Sequence, residues 1–212
     1  MSSRPLFFFR IPQPQSRQAA EPSSLLADLR AGLAYVLGWP GLLILIMMTA
    51  AVNLLVAPAM ALQPILVTAH FGGDAVSLAI IEAALGLGMI IGGALLGVWG
   101  GFRRRIYTSL MGLGLLGVGL IGLGLMPSHL FWGGVTTMGL VGMMIVLANG
   151  PLLAVMQATI APEMQGRVFT LAGSVSAAMA PVGLLLAGPA ADRLGVQAIF
   201  LAGGASCLLM TI

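Results

Sequence analysis

Lysine is absent from the 212-residue chain, and cysteine occurs once, at Cys207. A single thiol excludes an internal disulfide and a cysteine-based zinc site. Charge of either sign is scarce: nine Arg and six Asp or Glu make 7% of the residues, against about 25% in an ordinary soluble domain. A soluble fold of this length could not leave its surface so nearly uncharged, which excludes an ordinary cytosolic enzyme. The sequence pI is near 10.0. The net charge is only +3, however, and no long basic run is present to grip phosphates, which excludes a nucleic-acid binder. Catalytic constellations are missing as well: there is no Gly-x-Ser-x-Gly, no P-loop, no His-Glu-x-x-His and no pair of facing carboxylates. The chain therefore reads as a non-enzyme with no cofactor and no metal site. The period-two alternation of a transmembrane barrel strand is also absent. What is present is apolar: 59% of the residues are hydrophobic and the mean hydropathy is +1.06. The remaining class is an all-α membrane protein.

The few charges mark out its spans. Apart from His70, residues 31–73 carry no Asp, Glu, Arg or His, and residues 83–102, 168–191 and 194–212 carry none. Residues 106–162 carry only His129 and run to about twice the 20 residues of one span, with a break at Pro127-Ser128-His129. Six transmembrane helices are predicted, over residues 40–68, 75–100, 106–126, 130–157, 167–191 and 195–212. Arg4, Arg10, Arg17, Arg30, Arg103, Arg104, Arg105 and Arg167 fall on one side of such a bundle, and only Arg193 falls on the other. By the positive-inside rule both ends are expected to be cytoplasmic. Residues 1–39 read as a cytoplasmic linker broken by Pro5, Pro12, Pro14 and Pro22. It ends in an interfacial helix with Leu25, Leu26, Leu29, Leu33 and Leu37 on one face.

Four stretches, taken together, carry a family resemblance. The first is Ile11-Pro12-Gln13-Pro14 followed by the run from Leu29 to Val36. The second is the glycine-rich span from Gly88, closing in Gly100-Gly101-Phe102-Arg103-Arg104-Arg105. The third is the run from Pro162 to Phe169, and the fourth the run from Leu186 to Gly195. In this order and spacing the chain resembles the C-terminal half of a major facilitator superfamily transporter, of the bacterial drug- or siderophore-exporter kind. The resemblance implies a six-span bundle in the bacterial inner membrane and a partner, a six-span N-terminal half. It also implies transport of a small amphipathic substrate by alternating access, with coupling to protons. Gly97 stands where the family's loop signature usually carries an acidic residue. One half supplies only one wall of such a site, so the chain is read as a fragment or the product of a split reading frame. Two alternatives stand beside this: a non-transporting membrane module that only packs against a partner bundle, and a six-span carrier acting as a homodimer.

Glu82 is the only charge well inside a span, about seven residues or 10 Å from its start. An intramembrane carboxylate is by default a functional hypothesis, here for binding a cation or a proton. The plainer reading is a structural carboxylate. Gly86, Gly93 and Gly97 share its face, which predicts close helix packing there and a side chain turned into protein. Asn53 and Gln63, with Pro58 and Pro64, interrupt the first span, and Asn149-Gly150-Pro151 and Gln157 do the same in the fourth. These amides either line a cavity or serve as interhelical glue. The resemblance, which puts the family's cavity on the corresponding spans, favours the cavity. Arg103, Arg104 and Arg105 read as a topology anchor. The pairs Glu163–Arg167 and Asp192–Arg193 read either as exposed ion pairs or as gate latches. In the third span Gly112, Gly119 and Gly122 fall on one face and Gly114, Gly117 and Gly124 on the opposite one, so the helix is expected to pack closely on both sides.

Overall fold

In the computed structural model residues 25–211 are described, with side chains from residue 30 on. The Ile11–Pro14 motif, Arg4, Arg10 and Arg17 lie outside them, as do the side chains of Leu25, Leu26 and Leu29. The described chain is helical throughout. The amphipathic α1 (Leu25–Leu37) leads to α2 (Pro40–Ala61), the short α3 (Gln63–Ile65) and a π-turn over Leu66–His70. There follow α4 (Ala75–Trp99), α5 (Arg105–Leu125), α6 (Phe131–Thr159), α7 (Pro162–Leu194) and α8 (Val196–Leu209). Five helical stretches are long and apolar enough to cross a membrane, the first being the composite Pro40–His70. The expected sixth span appears as the 14-residue α8, about 21 Å of helix against a hydrocarbon core of about 30 Å.

Prolines shape the first span differently from the sequence expectation. Pro58 does not break it, because α2 continues past it to Ala61. Proline lacks the N–H that would bind the Leu54 carbonyl one turn back. Gly183 of α7 packs its bare Cα face directly against that carbonyl, so the gap in the ladder becomes a close helix crossing. The break comes instead at Leu62, where φ is −89° and ψ is 1°. Pro64 then sits in the first turn of α3, where a missing N–H costs nothing.

Lateral contacts link the helices in the order α7, α2, α8, α5, α6, α4, with α1 lying on α7 and α2. Lipid gives apolar helices no hydrophobic reason to associate, so close backbone approach has to hold them. Glycines make that approach possible. Gly88 of α4 meets the Gly139 carbonyl of α6, and Gly142 of α6 meets the Leu85 carbonyl of α4. The two glycine faces predicted for the third span are both used. A Cβ at Gly112, Gly119 or Gly122 would meet α6, at Ala148, Val141 and Thr137 respectively. One at Gly117 or Gly124 would meet α8, at Gly204 and Gln197.

The loops are capped by local polar bonds. Asp74 caps α4, its Oδ1 accepting 2.9 Å bonds from the Ser77 N–H and the Ser77 hydroxyl. Both bonds favour the ionised form and hold the Asp74 carboxyl below its ordinary range. At the other end of α4, Gly100 takes a left-handed φ of 74°, and the Thr108 hydroxyl accepts a 2.8 Å bond from the Phe102 N–H.

Candidate functional site

Between α2, α5 and α6 lies a cavity of about 420 Å³. Its walls are Met48, Val52, Val56 and Met60 from α2, Leu113 and Leu116 from α5, and Ile145 and Leu152 from α6. Four polar residues, Thr49, Asn53, Ser109 and Asn149, project among them. The cavity has the size and the mainly apolar character of small-molecule sites.

The helices fix how the polar groups are presented. Asn53 Nδ2 donates to the Thr49 carbonyl at 2.9 Å, and Asn149 Nδ2 donates to the Ile145 carbonyl at 2.9 Å. The Thr49 hydroxyl donates to the Leu45 carbonyl at 2.9 Å. Such bonds to the preceding turn orient a short polar side chain on its own helix. They leave each Asn with its Oδ1 and one amide hydrogen to offer. Ser109 is 6% exposed, and its Oγ has no hydrogen-bond partner among the described residues. The Ser109 hydroxyl is thus a buried polar group left unsatisfied beside the cavity wall. No charged side chain lines the cavity among the described residues. It is a neutral site with several acceptors and a few donors.

The structure thus brings together two of the residues singled out in the sequence, Asn53 and Asn149, from helices almost a hundred positions apart in the chain. The others lie elsewhere. Gln63 is 2% exposed, at the break in the first span, with its Nε2 unpartnered among the described residues. Gln157 is exposed near the end of α6, and its backbone carbonyl accepts a 2.8 Å bond from Gln165 Nε2. Glu82 is exposed on α4. The close packing expected around it is not made among the described residues, where a Cβ at Gly86, Gly93 or Gly97 would meet nothing within 4 Å. The physical reason is that α4 spends its other glycine face, Gly88 and Gly92, on α6. Arg103, Arg104 and Arg105 are exposed at the α4–α5 turn, and Glu163 and Arg167 are exposed on the first turns of α7. Arg167 Nη1 lies 3.9 Å from Met164 Sδ. Asp192 and Arg193 are exposed at the end of α7.

Sequence reasoning missed Thr49 and Ser109. Their signal was a hydroxyl inside an apolar span, which is as often satisfied by its own helix. It also missed a polar clasp at the opposite end of the bundle. Gln197 Nε2 donates to His70 Nδ1 at 2.8 Å, and His70 Nε2 donates in turn to the Met126 carbonyl at 2.8 Å. The ring thus holds its proton on Nε2 and ties the π-turn to the end of α5 and the start of α8.

No family model matches the chain, and no solved structure matches it. Curated relatives do. The chain is 31% identical over 203 residues to macrolide efflux protein A of Streptococcus pyogenes, an alignment covering 96% of this chain and 50% of that protein. It is 29% identical over 184 residues to macrolide efflux protein A of Enterococcus faecalis, covering 87% of this chain and 57% of that protein. A shorter match, 45% identical over 58 residues, covers 27% of this chain and 14% of the multidrug efflux pump Tap of Mycolicibacterium fortuitum. The chain spans about half the length of the efflux A proteins it matches.

Proposed function

We propose, the chain being a homologue of bacterial drug efflux proteins, that it is one half of a major facilitator superfamily carrier that exports small amphipathic molecules by alternating access. The observation that carries this reading is the neutral cavity between α2, α5 and α6, with its oriented Asn53 and Asn149 amides and the orphaned Ser109 hydroxyl. Secondary carriers bind near the bilayer midplane, between two repeats. A cavity wall built from one repeat suits that design. The carrier sits in the bacterial inner membrane with both ends of this half in the cytoplasm, an orientation that the eight-to-one distribution of Arg supports.

The test is export by the complete carrier, this chain together with its six-span N-terminal half. Asn53→Ala combined with Asn149→Ala removes two hydrogen-bonding groups from a low-dielectric site, each worth about 1 kcal/mol. Export per folded carrier is expected to fall at least about tenfold, since 1.4 kcal/mol is a factor of ten. Unchanged export at equal folded amount would remove the cavity from the mechanism.

Proton coupling is assigned to Glu82. Gln matches Glu in shape and hydrogen bonding but cannot carry charge or release a proton. Glu82→Gln is expected to keep the fold and lose the pH dependence of export. Weaker folding with normal export per molecule at two pH values would instead mark Glu82 as structural.

A further inference from the structure

The cleft that separates α2 from α6 continues beyond the cavity just described. A second cavity of about 300 Å³ lies one turn further toward the end of the bundle that carries Arg30 and Arg167, between Trp39, Leu42 and Leu45 of the α2 start and Val155, Met156 and Thr159 of α6. The two cavities use successive turns of the same two helices: Leu45 gives way to Met48 on α2, and Met156 to Leu152 on α6. Each is lined by a flexible methionine, Met48 in the inner cavity and Met156 in the outer one. The polar character of the cleft changes along its length. The deep cavity offers Asn53, Ser109 and Asn149. In the outer one the only side-chain hydroxyl, that of Thr159, is spent on the Val155 carbonyl at 2.5 Å. Neither cavity is lined by a charged side chain among the described residues.

We propose that the cleft holds a single elongated amphipathic ligand across both cavities. Its uncharged polar end, a hydroxyl or similar group, is bonded by Asn53, Ser109 and Asn149, and its apolar end lies between Trp39, Leu45 and Met156. The inference rests on the reading of the inner cavity as the transport site and adds a second subsite to it. A charged end is disfavoured because a buried charge with no counter-charge is costly. The length follows from the helix rise: Trp39 and Asn53 are about 21 Å apart along α2 at 1.5 Å per residue.

The three Trp residues, Trp39, Trp99 and Trp132, allow a direct test with the full chain in phosphatidylcholine nanodiscs. Trp99→Phe with Trp132→Phe leaves Trp39 as the only emitter, at the outer subsite. Trp39→Phe with Trp99→Phe leaves Trp132, at the other end of α6 and 68% exposed, to report simple partition into lipid. The probe is bromoundecanol with the bromine on the carbon farthest from the hydroxyl, whose heavy atom quenches indole on contact. The expected result is saturable quenching of Trp39 well beyond that of Trp132, with a midpoint raised about tenfold by Asn53→Ala with Asn149→Ala. Gly41→Leu should abolish the saturable part. A Cβ there meets the Trp39 ring, 3.7 Å from its Nε1, so the longer side chain starts at the wall of the outer subsite beside Trp39. The corresponding ionised bromoundecanoate should quench Trp39 no more than Trp132. Equal quenching of the two Trp residues by bromoundecanol, a comparison that needs no cleft variant, would overturn the proposal, as would indifference to Gly41→Leu in a folded chain. If the Asn variants lose export while Trp39 shows only partition, the outer subsite falls and the transport reading stands. Saturable Trp39 quenching with export untouched by the Asn variants would leave the subsite and remove the transport reading.

Discussion

Reconstituted alone in liposomes, the chain is expected to move no substrate, and flux should return when a six-span N-terminal half is supplied. The cavity between α2 and α6 is bounded by α5 on its remaining side and lined by no further helix among the described residues. Alternating access needs two bodies that rock about a site held between them, and one body cannot both hold the site and close it. The face left over is chemically unsuited to lipid. On α4 it carries the exposed Glu82 beside Gly86, Gly93 and Gly97, none of which meets another helix among the described residues. An intramembrane carboxylate costs a few kcal/mol against hydrocarbon, and that cost favours association with a partner half. Radiolabelled or fluorescent substrate uptake into vesicles, with and without the second half, gives the measurement. Robust flux by the chain alone, with a concentration dependence of a dimer, would favour the homodimeric carrier instead.

The second large effect is on stability, and its sign depends on which glycine face of α4 and α6 is changed. Gly142→Ala drives a methyl into the Leu85 carbonyl, and Gly88→Ala drives one into Gly139. Neither obstacle is a flexible side chain that could swing aside, so the helices must part. Overpacking of this kind costs about 1–3 kcal/mol per site, and the double variant should lose a substantial part of the folding free energy in thermal or denaturant unfolding. Gly93→Ala, on the open face of the same α4, should do the opposite. It meets nothing within 4 Å and gains up to about 1 kcal/mol of helix propensity. If that face receives the other half, Gly93→Ala should nevertheless weaken assembly of the complete carrier. Equal stability of the Gly142→Ala and Gly93→Ala chains would contradict the α4–α6 crossing described above.

The helices and their class were legible without the fold because the bilayer is a severe solvent. It demands about 20 apolar residues per span and leaves no backbone group unpaired, so long stretches with hardly an Arg or acidic residue suffice to mark the chain as membrane helices. The two glycine faces of α5 were legible for a related reason. A helix turns 100° per residue whatever surrounds it, so Gly112, Gly119 and Gly122 had to point together, away from Gly117 and Gly124.

Which neighbour each face meets is a different matter, set by pairings that no local spacing encodes. Only the tertiary structure puts Asn53 and Asn149 on one cavity with Ser109 as the third polar group, or joins His70 to Gln197 across 127 positions. The tertiary structure likewise turns Glu82 outward. The face it shares with three glycines looked suited to packing, yet the equally small Gly88–Gly92 face of α4 took α6. Composition and helical periodicity act on each segment alone, and they determine that the segments are membrane helices and which residues share a face. The choice between two nearly equivalent faces is made by the summed close contacts of whole helices, an energy that exists only once the bundle is assembled.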